Sequence, residues 1–317
     1  MSLGAGAATA VLPASRASAT PTAGNPPVTR ILGREVDTSR ATPEVVRLLK
    51  RYFEDKTARD VEATMAHFSR TSTTYIDAIL GWPHYSWESL HSLFAELMPT
   101  WPQSSASYPT RIVGDEVSAL VFFTDTPELF GHELRIMGAV NFEEGRIVRW
   151  IDYWDGRAFT LDDIAEQRTP AAQFPTDFAE SYVGEPAAPI IRSAAHHLSR
   201  ALAAGDAQAA SSLLSEDVVL EDLALHITLT GRRSIRSFLT TMLPTLPYGA
   251  GSALRHVVGS ARGGGYEWTN PASPAPRGVT GLELGEDGRV SRVTSVWDSS
   301  LWHDAAIARA QAATILH

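Results

Sequence analysis

The chain has 317 residues, of which 44% are apolar and 20% charged, and its formal net charge is −9. This length suggests two domains of ordinary size, with enough apolar material for two cores. The acidic balance and the absence of Lys/Arg runs argue against a nucleic-acid partner, because that affinity comes mainly from clustered cations. There is no cysteine, which excludes disulfides, thiolate nucleophiles and Cys-ligated zinc. No apolar run reaches transmembrane length, so we expect no membrane insertion.

Residues 2–19 contain a short Ala/Gly-rich apolar stretch that ends in Ala17-Ser18-Ala19, an A-x-A pattern typical of signal-peptide cleavage sites. The first cation is Arg16, so the basic beginning of a signal peptide is missing. The stretch is either a truncated export signal or a disordered Ala/Pro-rich tail, which leaves both a cytoplasmic and an exported location open. In both cases we expect residues 1–39 to contribute nothing to a core.

The sequence contains an internal repeat. Asp77 corresponds to Asp222, Thr124-Asp125 to Thr269-Asn270, Gly138 to Gly281 and Trp154-Asp155 to Trp297-Asp298. The spacing changes once, by two residues, within a Pro/Gly-rich turn, where insertions and deletions are tolerated. We therefore expect one unit at residues 40–160, a linker at 161–188, and a second unit with a C-terminal helix at 189–317.

The first copy begins with a predicted helix, for which Thr42 is a suitable N-cap and Pro43 suits the first turn. A short second helix is predicted at about 58–68, a strand at 73–77 and a third helix at 87–97. Four antiparallel strands follow, at about 108–113, 117–124, 132–142 and 147–154. The second copy repeats this order from Ile190 to about Trp302. Helices followed by a meander predict an α+β fold, with three helices on a curved, mostly antiparallel sheet in each of two cone-shaped units.

An Asp at the end of the first strand, with GRIVRWIDYWD or GRVSRVTSVWD in the last strand, resembles the nuclear transport factor 2-like superfamily. The SnoaL-like branch, with polyketide cyclases, ketosteroid isomerase and limonene epoxide hydrolase, is the most similar, and the resemblance covers about residues 43–159 and 190–302. It implies that Asp77 and Asp222 stand where ketosteroid isomerase has its general base. It also implies that Asp152 is similar to a strand carboxylate that assists epoxide hydrolysis.

The resemblance further implies that the two copies pair sheet to sheet as an internal pseudo-dimer. It leaves open whether the protein also forms a homo-oligomer. Two departures limit what it says about the reaction. The oxyanion-stabilising Asp of the isomerases is replaced by Met137-Gly138 and Thr280-Gly281, and the Arg-x-Asp pair of the epoxide hydrolase by Arg135-Ile136-Met137. The resemblance therefore does not predict the complete catalytic machinery of any of these enzymes.

Asp77, Asp152 and Asp222 are the catalytic candidates. A carboxylate inside an apolar cone loses solvation, which raises its pKa toward the range useful for proton abstraction. The alternative for Asp77 and Asp222 is that they cap the following turn or pair with an Arg. Asp152 lies between two tryptophans of one strand, so it needs either a partner such as Arg135 or a catalytic role.

Further candidates for substrate contacts lie on the strands and turns that would face the cones. Aromatic walls suit a flat apolar ligand, although core packing explains such residues equally well. For Asp125 and Asn270, the alternative is a structural role in the turn at the end of a strand. For His84 and His226, the alternative is an ordinary surface or core position. The set is Tyr75, Trp82, His84, Trp101, Asp125, Arg135, Trp150, His226, Trp268 and Asn270.

We expect no metal and no cofactor, because the chain has no HExxH motif, no dinucleotide-binding βαβ loop and no nucleophile elbow. Three functions stay open. The first is a cofactor-independent cyclase or isomerase that acts on a small apolar natural product, polyketide- or isoprenoid-like. The second is a non-catalytic small-molecule-binding or scaffold protein, and the third an epoxide-opening hydrolase or cyclase.

Overall fold

The computed structural model describes residues 28–315, so the signal-like stretch at residues 2–19 lies outside the described part. Two sheets are present in this range, one of eight strands and one of six. Each sheet belongs to one copy of the repeat, and helices lie against both, which confirms the predicted α+β class. No helix between residues 28 and 315 has the length and apolar character needed to cross a membrane.

The first unit has the strand order β1-β2-β5-β6-β7-β8-β3-β4. Two neighbouring pairs are parallel, β2 with β5 and β3 with β8. Thr42 caps α1 by accepting from the Val45 N–H, and the helix buries an apolar stripe on one side. The elements are β1 (Thr29–Ile31), β2 (Arg34–Ala41), α1 (Pro43–Ala58), α2 (Val61–Met65), β3 (Thr74–Asp77), β4 (Trp82–His84), α3 (Trp87–Leu97), β5 (Ser107–Gly114), β6 (Ser118–Asp125), α4 (Pro127–Phe130), β7 (Leu134–Glu143) and β8 (Arg146–Tyr153).

The expectation that residues up to 39 add nothing to a core was wrong for residues 29–39. They form β1 and most of β2, joined by a turn in which Leu32 and Gly33 both have positive φ. Ile31 and Val36 are buried, and β2 extends the sheet beside β5. The Ala/Pro-rich composition of the preceding residues hid this hairpin, which needs only a turn and a few apolar side chains.

The segment expected as a linker carries α5 (Leu161–Gln167), a 3-10 turn (Ala171–Gln173) and α6 (Glu180–Val183). Phe178 is fully buried, and its carbonyl accepts a hydrogen bond from Arg149 Nε at 2.5 Å. This connection therefore packs on the first unit instead of crossing solvent.

The second unit has the strand order β10-β9-β14-β13-β12-β11. This is the order of the first unit from β4 to β5, so the repeat in the sequence is a repeat in topology. The elements are α7 (Pro189–Ala203), α8 (Ala207–Ser212), β9 (Leu214–Asp222), β10 (Ile227–Thr230), α9 (Arg232–Met242), β11 (Ala253–Ser260), β12 (Gly263–Thr269), β13 (Arg277–Leu284), β14 (Val290–Trp297), a 3-10 turn (Ser299–Leu301) and α10 (Asp304–Ala312).

The structure corrects the alignment of the two copies by one residue on one strand. Gly138 pairs with Asp152, whereas Thr280 pairs with Ser295. Gly138 therefore corresponds to Thr280 and not to Gly281. The chain from Thr280 to Ser295 is one residue longer than the chain from Gly138 to Asp152, and a slip of one residue moves a side chain to the opposite face of a sheet.

The two units touch through the outer faces of their sheets, where β5, β6 and β7 lie against β11 and β12. Gly265 and Gly281 lack side chains, which makes room for Leu120 of the first unit. A Cβ at either position would lie within 3 Å of Leu120 Cδ2. At the same contact, Arg149 and Glu267 form a fully buried ion pair of 2.5 Å, and the Glu267 carboxylate also accepts from the Tyr153 hydroxyl at 3.0 Å.

Candidate functional site

A cavity of about 290 Å³, which we call the first cavity, lies in the first unit between α1, α3 and the strands that carry Asp77, Asp125 and Asp152. Its wall is mostly apolar and includes Leu93 and Phe94 of α3. The lining polar and aromatic side chains are Lys56, Tyr75, Asp77, Trp82, His84, Trp101, Asp125, Phe130, Asp152, Trp154, Phe159 and Gln167. Three carboxyl groups thus share one small, largely apolar space.

Asp152 is the carboxyl with the most altered acidity in this cavity. Its side chain is enclosed, with 4% of the residue exposed. Oδ2 accepts from the Tyr75 hydroxyl at 2.6 Å, and Oδ1 accepts from Trp150 Nε1 at 2.5 Å. Burial raises the pKa of Asp152 to about 7, although both hydrogen bonds and the Lys56 ammonium act in the opposite direction. This carboxyl can therefore both accept and release a proton near neutral pH.

Gly138 makes room for that arrangement. It faces Asp152 across β7 and β8, and a Cβ there would lie 2.8 Å from Trp150 Nε1 and 3.1 Å from Asp152 Oδ1. Any larger side chain would displace the indole or the carboxyl. The glycine therefore supports the hydrogen bond between Trp150 and Asp152.

Asp77 caps a turn and also lines the cavity. Its Oδ1 accepts from the N–H groups of Ile79 and Leu80 at 2.9 and 2.8 Å, which caps the turn after β3. Its Oδ2 accepts from Trp154 Nε1 at 2.9 Å, and the residue lines the cavity. Burial raises the pKa of Asp77, while these three hydrogen bonds lower it. The carboxylate is held in one orientation and still faces the cavity.

Lys56 is a polar residue of this cavity that the sequence analysis missed. Its Nζ lies 3.6 Å from Asp125 Oδ2, and both side chains are buried. Asp125 Oδ1 has no hydrogen-bond partner among residues 28–315. Lys56 follows Leu49 and Phe53 on the apolar stripe of α1, and this placement was the available signal. Long lysine side chains usually reach solvent from such positions, so the pattern alone favoured an exposed lysine.

The remaining residues predicted in the first unit divide into three groups. Tyr75, Trp82, His84 and Trp101 line the cavity, and burial lowers the pKa of His84. Trp150 lies behind Asp152 and holds it. The expectation that Arg135 would be the partner of Asp152 was wrong, because its side chain is 69% exposed and pairs with Glu133. Ile136 lines the cavity, so the preceding residue of the strand points to the other side.

In the second unit the corresponding interior is filled. Tyr248 and Trp268 are almost fully buried there, with ring centroids 6.0 Å apart. Asp222 is 1% exposed; its Oδ1 accepts from two N–H groups of the following turn, and its Oδ2 from Tyr248 and Trp297. Burial raises the pKa of Asp222 to about 6. With all four of these bonds to protein donors, Asp222 is a turn cap enclosed by side chains.

Two residues of the second unit that were predicted to contact substrate also lie elsewhere than expected. Trp268 donates from Nε1 to Thr280 Oγ1 at 3.2 Å and is a core residue. His226 is exposed in the turn between β9 and β10, where its φ of 55° is left-handed. Neither side chain is available to a ligand in an enclosed pocket. Asn270 lines a separate cavity of this unit.

The polar group of the first cavity is specific to the first unit. In the second unit, Leu202, Leu220, Asn270 and Ser295 take the places of Lys56, Tyr75, Asp125 and Asp152. The turn-capping Asp and the indole that donates to it, from Trp154 or Trp297, are common to both. Within residues 28–315, no group of three or more His, Asp or Glu side chains is arranged to hold a metal ion.

No protein-family model and no curated protein matches the chain significantly. Among solved structures it is similar to an NTF-2 like protein of unknown function from Burkholderia xenovorans LB400, with 22% identity, 36% of this chain and 94% of that chain covered, and a TM-score of 0.31. It is also similar to a steroid delta-isomerase from Pseudomonas aeruginosa, with 17% identity, 42% and 100% covered, and a TM-score of 0.34. A third is a protein with a cystatin-like fold from Silicibacter pomeroyi DSS-3, with 20% identity, 40% and 83% covered, and a TM-score of 0.31.

Each of these matches spans less than half of the chain. By its own strand order and helix positions, the chain carries one α+β fold twice.

Proposed function

We propose that the first cavity is the acid/base centre of a cofactor-independent isomerase or cyclase. The observation that carries this proposal is the enclosed Asp152 carboxyl, whose pKa is raised to about 7 inside a mostly apolar cavity. General acid/base catalysis is most effective when the pKa of the group lies near the working pH. Asp152 meets that condition without a metal or a cofactor.

In the reaction we propose, ionised Asp152 removes a proton from a carbon next to a substrate carbonyl, and the electron pair of that C–H bond moves into the enolate. If the substrate has a β,γ double bond, the product is a dienolate, and protonated Asp152 returns the proton to the γ-carbon, which isomerises the substrate. In the ring-closing route the enolate carbon attacks a second carbonyl, and the alkoxide that forms takes the proton from Asp152. Both routes return the proton to the substrate, so no further reactant is needed.

Lys56 and Tyr75 support this step in different ways. The Lys56 ammonium is the cation that lines the cavity beside Asp125, and it can stabilise the developing enolate oxygen. The pKa of Tyr75 is raised well above its ordinary value, mainly by burial. Its hydroxyl therefore stays protonated and donates to Asp152, which holds the carboxyl in place.

The cavity suits a small, flat, apolar substrate. Its volume of about 290 Å³ is at the lower end of ligand pockets. Trp82, Trp101 and Phe94 offer aromatic walls for a ring system. These features support a cyclic ketone of polyketide- or isoprenoid-like shape over a long or charged substrate.

Deuterium exchange tests the proposal. The purified chain would be incubated in D₂O with 2-tetralone, an enolisable cyclic ketone, and loss of the α-protons followed by proton NMR. We expect exchange above the buffer rate, and a loss of about 100-fold or more in Asp152→Asn. Asp222→Asn is the control, because it changes another buried carboxyl, the counterpart of Asp77 in the second unit, which lies outside the first cavity. It should retain the exchange. Equal losses in the two variants would contradict the proposal.

Epoxide opening is a second candidate, which the pairing of Asp77 with Asp152 on neighbouring strands favours. Two adjacent carboxyl groups can act together, one protonating the epoxide oxygen and one activating water. Diol formation from cyclohexene oxide, with loss in either Asp77→Asn or Asp152→Asn, would support this reading. Tight binding of 2-tetralone with neither reaction would favour the non-catalytic alternative.

A further inference from the structure

A second cavity, of about 480 Å³, lies in the second unit between the end of α9, the turn after β12, and α10. Its apolar wall includes Met242, Leu246 and Ala306. It does not reach Asp222, since Tyr248 and Trp268 fill the interior. This second cavity is therefore separate from the acid/base chemistry proposed above, and it has its own residues.

Two buried polar atoms at this cavity have no partner among residues 28–315. They are Asn270 Oδ1 and Trp302 Nε1, in residues that are 3% and 7% exposed. Asn270 Nδ2 donates to the carbonyls of Pro247 and Ala250 at 2.9 and 3.2 Å, so the amide is fixed and its oxygen is left as a free acceptor. A buried polar atom without a partner costs about 1–3 kcal/mol. One acceptor and one donor in the same wall therefore point to a ligand that supplies both partners.

The second cavity occupies the same place in its unit as the mouth of the first. Four residues correspond: Met242, Leu246, Asn270 and Trp302 take the positions of Leu97, Trp101, Asp125 and Phe159, which line the first cavity. Asp125 Oδ1 is also without a partner. Both units thus present an unpaired oxygen at the same position, one anchored through Lys56 and the other through backbone carbonyls.

We propose that the second cavity is a binding site for an apolar molecule that carries a hydroxyl group. A hydroxyl both donates and accepts, so it can donate to Asn270 Oδ1 and accept from Trp302 Nε1. The apolar body of the ligand packs against Met242, Leu246 and Ala306. Among the described residues the lining includes no carboxylate, and Arg309 stands at one side, so the site disfavours a cationic ligand.

The test uses 2-naphthol as the probe and naphthalene as its partner without the hydroxyl. In a proton–nitrogen NMR spectrum of the full chain, the Trp302 indole signal is identified by its loss in Trp302→Phe. The first unit has Phe159 at this position, so the replacement suits the fold. We expect 2-naphthol to shift the Trp302 signal and to bind about 3- to 10-fold more tightly than naphthalene at this site.

Two variants make the result specific to the second cavity. In Trp302→Phe, the affinity advantage of 2-naphthol over naphthalene, measured from the backbone signals of α10, should fall to about twofold or less. Ala306→Phe narrows the cavity and should abolish the shift of Trp302, while any response of Trp101 and Trp154 in the first cavity persists. A Trp302 signal that stays unmoved at saturating 2-naphthol, or equal affinities for the two probes in wild type, would overturn the proposal. Neither result would bear on proton exchange in the first cavity.

Discussion

Asp77 and Asp152 are Cα register partners on the adjacent parallel strands β3 and β8, so both carboxyl groups leave the same face of the sheet. Asp77 is held by two backbone N–H groups and one indole, which suits a fixed carboxylate. Asp152 is held by one hydroxyl and one indole, and its pKa is raised to about 7. One strand pair thus carries a positioned carboxyl and a carboxyl that titrates near neutrality.

The pH dependence of exchange should follow Asp152. Because the base is the ionised form, kcat/KM for 2-tetralone exchange should rise about tenfold per pH unit below its pKa of about 7, and level off above it. Rates measured from pH 5 to 9 check this. In Asp152→Asn the residual rate should lack that inflection. A wild-type inflection below pH 5 would assign the base to another group.

The stability of the protein should depend on pH through the protonation of Asp152. The folded pKa of Asp152 lies above its ordinary value of 3.8. The folded state therefore holds this proton between about pH 4 and 7 when the unfolded state has lost it, and stability decreases as pH rises through that window. Over this pH range, the unfolding free energy of wild type should fall, relative to that of Asp152→Asn, by about 1.4 kcal/mol for each pH unit. Urea denaturation at pH 5 and 7.5 measures it, and a constant difference would contradict the assignment.

Lys56 and Asp125 should behave as one unit. Lys56→Ala leaves the buried Asp125 carboxylate without its cation, and we expect a loss of about 3 kcal/mol in stability. Lys56→Ala combined with Asp125→Asn removes the unpaired charge and introduces the amide that Asn270 supplies in the second unit, so it should recover most of that loss. Both variants should lose 2-tetralone exchange. Additive destabilisation in the double variant would show that the two side chains do not depend on each other.

Gly138 should act as a positioning residue. A methyl group in Gly138→Ala would meet Trp150 Nε1 and Asp152 Oδ1, so it should displace the hydrogen bond between them. We expect at least a tenfold loss of exchange and a shifted inflection in the pH–rate profile, with the fold retained in circular dichroism. An unchanged inflection would mean that the space beside Asp152 is not required.

The contact between the two sheets should depend on the buried pair Arg149–Glu267. Removing one partner leaves an uncompensated charge, so Arg149→Met or Glu267→Leu alone should cost about 3–5 kcal/mol in denaturant unfolding. The double variant should regain a large part of this. If each single change cost less than about 1 kcal/mol, the pair would not stabilise the contact between the units.

Much of the fold could be predicted from the sequence because its signals are local or repeated. Thr42 and Pro43 mark the start of α1, and the Glu144-Gly145 turn fixes the β7–β8 hairpin. The internal repeat then allowed the same order of helices and strands to be predicted for the second unit. The hairpin of β1 and β2 was missed because its partner strand, β5, is distant in the chain.

The site was less predictable, because its residues depend on packing between distant elements. Asp77, Asp152 and Tyr75 were found through their strand positions. Lys56 was missed because a lysine on a helix gives no sign of whether it reaches solvent. Whether a cone is open or filled depends on Tyr248, a loop residue with no counterpart ring in the first unit. No strand pattern could reveal that difference.

The most direct measurement is a carbon-13 NMR titration of the aspartate carboxyl groups in wild type and in Asp152→Asn. We expect the signal that is missing from the variant to titrate near pH 7 in wild type. A midpoint below pH 5 for that signal would contradict the central claim, because the first cavity would then hold an ordinary carboxylate.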